Sequence, residues 1–146
     1  MQTLRRQGRI YALQLLYQAE IDPASDEAQR EAFFVKGRVS MKARAFATRL
    51  VETTLAGRER IDDALGEALE HWKLGRLPVI VRNVLRLSVC ELLLIGEEPP
   101  AAVINEAIEL TRTYMDEDSS RFVNAVLDRV RLAGEAPPEP QALESR

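Results

Sequence analysis

The sequence predicts an all-α protein of about seven helices. Its apolar residues recur with the 3.6-residue period of a helix, its breaks fall at Gly and Pro, and no segment alternates convincingly at period two. We expect one helical domain over residues 1–133 and a disordered, Pro-rich tail over 134–146. With 46% apolar residues, 146 residues suffice for a core without metals or disulfides.

Each predicted helix rests on an apolar stripe bounded by capping or breaking residues. Thr3 is a candidate N-cap, Gly37 and Gly96 are stops, and Gly75 occupies the place of a left-handed C-terminal cap. In order, the helices are predicted at residues 3–20, 26–36, 40–58, 61–75, 78–95, around 103–114 and around 122–130.

Two of these helices shape the expected core. The apolar stripe of helix 61–75 includes Trp72, which predicts an inward-facing indole. Helix 78–95 is apolar on nearly every side and is therefore expected to be central and mostly buried.

The composition points to a cytoplasmic protein. Cys90 is the single cysteine, so no disulfide forms within the chain, and we expect a buried thiol. No apolar run reaches the roughly 18 residues of a membrane span, and the N-terminus lacks the pattern of a signal peptide.

Residues for catalysis or metal binding are scarce. His71 is the only histidine and lies on a charged helix flank, where a solvated side chain is expected. Glu106 and Glu109 are three residues apart but lack the histidine partners of a carboxylate-bridged metal site. No Cys-x-x-Cys pair or Gly-rich phosphate loop occurs. We predict no enzyme, no metal and no cofactor.

The basic residues are segregated although the net charge is −3. Arg5, Arg6 and Arg9 share about 100° of arc on the first helix, on the side of its apolar stripe. Cations at a helix N-terminus oppose the helix dipole, so an anionic partner such as RNA would explain them. A solvated helix start that tolerates the charges explains them equally well. For the second basic run, residues 36–49, we favour a solvated face.

The segment that opens the last helix has two interpretations. The run from Asp116 to Ser120 supplies N-cap chemistry, and in one interpretation Asp118 or Ser119 caps the helix while Phe122 begins the core. Alternatively, Asp118, Ser119 and Arg121 contact an RNA strand and a partly exposed Phe122 stacks on a base.

Three motifs in the expected order resemble the NusB family over about residues 4–130. They are Arg5-Arg6-x-x-Arg9-x-x-Ala12-x-x-x-Leu16-Tyr17, then Leu85-Arg86-Leu87 with Glu91-Leu92, and last the run from Ile104 to Leu110 with Glu117-Asp118-Ser119-x-Arg121-Phe122-Val123-Asn124-x-Val126-Leu127-Asp128. Gln7 and Gly8 dilute the basic motif, and residues 22–42 match no motif of the family.

The resemblance implies two small helical bundles packed across each other. It also implies binding of single-stranded boxA RNA as a heterodimer with NusE, a protein of the small ribosomal subunit, and help to RNA polymerase in reading through terminators of ribosomal RNA operons. Arg5, Arg6 and Arg9 would contact RNA phosphates, and Asp118, Ser119, Arg121 and Phe122 would lie on the same side. Arg76 and Arg86 are the candidates for the NusE edge.

Three questions stay open at this point. A protein-interaction scaffold with incidental RNA contact is one alternative, and a NusB-like domain of an rRNA methyltransferase is another, although no strand–helix alternation follows Val130. Some members of the family self-associate, and the sequence does not decide between monomer and homodimer. Asn105 and Asn124 fit the family motif, and we expect them to be satisfied structural hydrogen bonders.

Overall fold

A computed structural model describes residues 3–24 and 26–135, and over these residues it contains helices and no strand. The seven α-helices of the described chain are α1 (Leu4–Ile21), α2 (Glu27–Lys36), α3 (Met41–Ala56), α4 (Arg58–Leu69), α5 (Val79–Val89), α6 (Pro100–Tyr114) and α7 (Glu117–Glu135). A 3₁₀ turn, Leu74–Arg76, precedes α5, and a π-helical turn, Cys90–Ile95, continues it. The all-α prediction is confirmed.

Local capping chemistry explains where the first helices begin. The hydroxyl of Thr3 accepts a hydrogen bond from the backbone N–H of Arg6 at 3.1 Å, as predicted. Asp26 and Gln29 form a reciprocal capping box at the start of α2, and the hydroxyl of Ser40 caps α3. None of the described helices is long and apolar enough to span a membrane.

The predicted helix 61–75 ends earlier than its apolar pattern indicates. Glu70 has a positive φ of 55°, which terminates α4 at Leu69, and Gly75 lies in the 3₁₀ turn rather than at a left-handed cap. The prediction of an inward-facing Trp72 is therefore wrong. Its side chain has left the helix stripe, and the residue is 61% exposed.

The predicted helix 78–95 is present as α5 with its π-helical turn. All residues from 81 to 91 are buried, which confirms a central element. Gly96 ends the turn in the left-handed conformation at φ 65°, and its N–H donates to the carbonyl of Glu91 at 2.9 Å. This i→i−5 bond is the signature of a π turn, a feature often found at functional sites.

Two groups of helices share α5. In the first, α1 packs against α3; in the second, α6 packs against α7, and α4 packs against both α5 and α7. Because α5 contacts α1, α3, α4, α6 and α7, one continuous hydrophobic cluster joins the two groups. Gly134 and Glu135, the first two residues of the predicted tail, belong to α7; the rest of the predicted tail, residues 136–146, lies outside the described residues.

Gly8 sets the close approach of α1 to α3. A Cβ atom at this position would lie 2.7 Å from Cδ2 of Phe46 and 3.1 Å from the carbonyl oxygen of Ala43. The glycine that interrupts the basic motif is thus a packing residue at a helix crossing.

Replacement of Leu85 by Ala in α5 should lower the free energy of unfolding by about 2–5 kcal/mol, because the side chain is fully buried and leaves a cavity. The matched control is Leu132→Ala in α7, where the residue is 51% exposed and the expected change is below about 0.5 kcal/mol. Urea denaturation followed by circular dichroism measures both, and equal losses would contradict the assignment of α5 to the core.

Candidate nucleic-acid interface

Arg9 lies inside the protein, in a bidentate ion pair with Glu91. Its Nε and Nη2 atoms donate to the two carboxylate oxygens of Glu91, both at 2.8 Å, and Nη2 also contacts Glu98. Arg9 is only 4% exposed. The prediction that Arg9 contacts RNA phosphates is therefore wrong, because its guanidinium donors face carboxylates within the fold.

The position of Arg9 follows from the apolar stripe of α1. Arg9 is one turn before Ala12 and Leu13, both buried, so its side chain points toward the core. Burial by itself would lower the pKa of Arg9, but the hydrogen bonds and negative charges of Glu91 and Glu98 raise it above its ordinary value. Arg9 consequently stays charged.

Arg6 is paired at the surface with Glu106 of α6. Its Nε and Nη2 atoms donate to the carboxylate oxygens at 3.0 and 2.8 Å, while the Arg6 side chain remains 41% exposed. The hydrogen bond and the positive charge of Arg6 lower the pKa of Glu106. This guanidinium is accessible to an additional anion.

Arg5 is held more loosely. Its Nη2 is 3.4 Å from Glu97 and its Nε 3.2 Å from Glu98, and its side chain is also 41% exposed. The guanidinium carbon lies 4.8 Å from the centre of the Phe46 ring, a cation–π contact. Arg49 of α3 shares the carboxylate of Glu97.

These contacts form one arginine–glutamate cluster with balanced charge. Its four arginines and four glutamates are Arg5, Arg6, Arg9 and Arg49 with Glu91, Glu97, Glu98 and Glu106. Sequence reasoning missed the pairing because the glutamates follow the arginines of α1 by 82 to 100 residues in the chain. The adjacent acidic residues Glu97 and Glu98 were the one feature of the sequence that could have indicated this pairing.

The start of α7 lies in the predicted capping run 116–120, with the cap at its first residue. Asp116 is the cap, since its side chain accepts the backbone N–H of Ser119 at 2.7 Å; capping by Asp118 or Ser119 is not observed. That hydrogen bond lowers the pKa of Asp116. Asp118 and Arg121 form an exposed ion pair at 2.8 Å, and Phe122 is half-buried on the same helix face.

Helix α6 connects the two candidate regions. Arg6 and Ile10 of α1 line a cavity of about 110 Å³ together with Glu106 and Tyr114 of α6. Tyr114 is exposed and stands just before the turn that opens α7. Eight residues of helix separate Glu106 from Tyr114, or about 12 Å. Arg6 thus lies against the side of α6 that carries Glu106 and Tyr114, three residues before the first residue of α7.

The two residues predicted for a partner edge occupy different environments. Arg86 is buried, and its Nε and Nη2 atoms donate to Asp62 of α4 at 2.9 and 3.1 Å. Its prediction as a docking residue is wrong, because the guanidinium joins α4 to α5. Arg76 is exposed in the 3₁₀ turn.

The other candidate residues divide between surface and core. His71 is exposed and Cys90 fully buried, as predicted, and burial raises the pKa of the Cys90 thiol. Asn105 and Asn124 are exposed beside a groove between α6 and α7, so the expectation of internal hydrogen bonders is wrong. Among the described residues, no cluster of His, Cys, Asp and Glu is arranged to hold a metal ion.

The second basic run stays largely solvated. Lys36, Arg38 and Lys42 are exposed, whereas Arg44 pairs with Glu31 of α2. The run does not join the candidate interface except through Arg49.

Comparison with known proteins gives a consistent result. The family model described as "NusB family" matches residues 6–131. The transcription antitermination proteins NusB of Lysinibacillus sphaericus and Myxococcus xanthus are 43% and 41% identical, over 86% and 88% of this chain and 94% and 95% of theirs. The NusB of Heliobacterium modesticaldum is 39% identical over 86% of this chain, which spans only 61% of that relative.

Solved structures share the fold. T. maritima NusB superimposes with a TM-score of 0.80 at 35% identity, over 98% of this chain and 99% of that one. A chain from the crystal structure of antitermination factors NusB and NusE in complex with dsRNA gives a TM-score of 0.81 at 28% identity, over 91% and 99%. The curated relatives are named as transcription antitermination proteins.

Replacement of Arg9 by Met should lower the free energy of unfolding by about 3–5 kcal/mol, because Glu91 would remain buried without its partner. Arg5→Met, which removes a partly exposed pair, should cost less than about 1 kcal/mol. Chemical denaturation compares the two variants. A loss at Arg9 no larger than that at Arg5 would refute a structural role for the buried pair.

The ion pair of Glu106 predicts a specific pH dependence. Because the folded-state pKa is lowered, the pair stabilises the protein above the ordinary Glu pKa, near 4.3, and loses this effect as the pH falls through the folded value. Glu106→Gln should therefore be less stable than the wild type at pH 7 and approach it by about pH 3. Glu67→Gln, at an exposed site in α4, is the control; a pH-independent difference for Glu106→Gln would contradict the assignment.

Proposed function

The chain belongs to the NusB family, and from this premise we propose that it is a cytoplasmic transcription antitermination factor that binds RNA as a heterodimer with NusE. The finer proposal is that the RNA is the single-stranded boxA sequence of ribosomal RNA operons, and that the complex promotes read-through by RNA polymerase. The named relatives and the NusB–NusE–dsRNA structure support the coarser part of this role.

One observation carries the RNA-binding proposal. Arg6 and the exposed Tyr114, which comes three residues before α7, line one cavity along α6, and Tyr114 lies about 12 Å along the helix axis from Glu106, the partner of Arg6. Arginine donors at one end and the half-buried Phe122 at the other supply phosphate contact and base stacking.

The balanced charge of the arginine–glutamate cluster sets the strength of this interaction. A phosphate that reaches Arg5 must share or replace its bonds to Glu97 and Glu98. Exposed ion pairs of this kind contribute only about 0–1 kcal/mol to the free energy of folding. A phosphate can therefore replace a glutamate as the partner of Arg5, but the replacement gives little net electrostatic attraction. We therefore expect weak RNA binding by the protein alone and a marked gain with NusE.

The site assignment changes accordingly. Arg5, Arg6, Asp118, Ser119, Arg121 and Phe122 remain the proposed RNA-binding residues, and Arg76 remains the proposed contact for NusE. Arg9 and Arg86 are assigned to internal ion pairs. Mass determination of the complex with NusE and boxA RNA tests the stoichiometry, including self-association.

Fluorescence anisotropy with a labelled boxA RNA and a scrambled RNA, each with and without NusE, tests the proposal directly. We expect tighter binding of boxA than of the scrambled RNA when NusE is present. Equal affinity for both RNAs in that condition would contradict boxA recognition, and no binding of either would contradict the RNA-binding role.

The double variant Arg5→Gln/Arg6→Gln should weaken RNA binding and reduce the slope of log K against log salt by up to about 1.4, at about 0.7 per phosphate contact. Arg58→Gln/Arg60→Gln, which removes the same charge from exposed positions of α4, is the matched control and should leave binding unchanged. Arg9 stays intact in both variants, so loss of fold does not confuse the result.

The neutral total charge of the arginine–glutamate cluster favours one competing function, a protein-interaction scaffold with incidental RNA contact. The same variants separate the two. Unchanged RNA affinity of Arg5→Gln/Arg6→Gln in the presence of NusE supports the scaffold; a loss relative to the control supports the RNA-binding factor.

A further inference from the structure

We propose that Trp72 and Phe122 together form a nucleobase-stacking platform, which extends the RNA-binding surface from the start of α7 to the connection between α4 and α5. This inference rests on the proposed RNA-binding function and assigns a further binding residue to it. Its ligand is an unpaired base of a single RNA strand.

Trp72 is held at the surface by the way α4 ends. Glu70, at φ 55°, turns the chain out of the helix, and the N–H of Trp72 donates to the carbonyl of Leu69 at 3.0 Å. The Nε–H group of Arg129 in α7 donates a hydrogen bond to the carbonyl of Ala68 at 2.8 Å. The end of α4 is therefore fixed to α7, and the indole leaves the core from a defined point of the backbone.

The two rings meet edge to face. The ring centres of Trp72 and Phe122 are 5.7 Å apart and the ring planes are inclined at 78°. Only one edge or face of each ring is used in such a contact. Because Trp72 is 61% exposed, indole surface remains open to a planar ligand.

The side chains around the pair are polar and charged, with Arg121 ion-paired to Asp118 and Glu70 exposed beside Lys73, which favours a nucleotide over an apolar protein segment. Lys73 follows Trp72 and is exposed, and Arg121, also exposed, precedes Phe122. Asp118 is one turn from Phe122 on the same face of α7 and can accept from a base amino group. Aromatic rings flanked by cations are the usual combination in proteins that bind single-stranded nucleic acid.

Continuity gives a second argument for the same ligand. The proposed RNA path reaches Asp118 and Phe122 from the side of Tyr114. Trp72 is in direct ring contact with Phe122, so a strand leaving Phe122 passes the indole next. The exposed Trp72 thus extends the RNA-binding surface proposed above, through its contact with Phe122.

Trp72 is the only tryptophan in the chain, so its intrinsic fluorescence reports on this site alone. Titration of the full-length protein with unlabelled single-stranded boxA RNA should quench the emission, since a stacked base quenches indole fluorescence. In anisotropy measurements Trp72→Ala should weaken RNA binding by roughly tenfold, and Trp72→Phe should restore most of the affinity.

Leu132→Ala, which truncates another exposed apolar residue, is the control and should bind RNA like the wild type. Thermal melts verify that each variant is folded. Wild-type RNA affinity of Trp72→Ala, or binding without quenching, would overturn the platform while leaving the proposed function intact. Loss of NusE binding by Trp72→Ala at unchanged RNA affinity would overturn it in favour of protein docking. Absence of RNA binding by the wild-type protein, with or without NusE, would overturn both.

Discussion

The buried ion pair between Arg9 and Glu91 is the interaction on which the candidate site depends. It joins the beginning of α1 to the π-helical turn that continues α5, with two hydrogen bonds of 2.8 Å in a water-poor setting. A buried guanidinium is tolerated only when its donors and its charge are matched, and Glu91 and Glu98 supply both. Once Arg9 is fixed in this way, Arg5 and Arg6 are placed at the rim of the same helix face, where water and a ligand reach them.

The basic motif of α1 therefore divides between two roles. One arginine completes the core, and two stand at the surface in pairs with Glu97, Glu98 and Glu106. These carboxylates also offset the unfavourable effect of cations at a helix N-terminus. The arginine stripe of α1 suggested a cationic surface. Because its arginines are paired with glutamates, the surface is nearly neutral and its long-range electric field is weak, although its guanidinium groups can still donate hydrogen bonds to an anion. Recognition of an anion by such a surface has to rest on short-range contacts.

Local signals in the sequence sufficed for most of the architecture. The stop at Gly96 and the cap at Thr3 rest on chemistry within a few residues, and both are observed. The end of α4 was not predictable, because Glu70 has no intrinsic preference for a positive φ and the contact between Arg129 of α7 and the carbonyl of Ala68 is tertiary. The exposure of Trp72 follows from that single turn. The ion-pair partners of the arginines were equally unpredictable from the sequence, since contacts between residues some 90 positions apart are set by tertiary structure.

The close crossing at Gly8 has a consequence for how this surface can vary among related chains. Because α3 leaves no room for a side chain there, the first helix cannot gain another positive charge at that position without moving away from its neighbour. A chain that binds an anion more tightly therefore has to change elsewhere, at a neighbouring residue such as the partly exposed Gln7 or at the opposing acids. Neutralising Glu97 or Glu98 would make this surface more positive without separating the two helices.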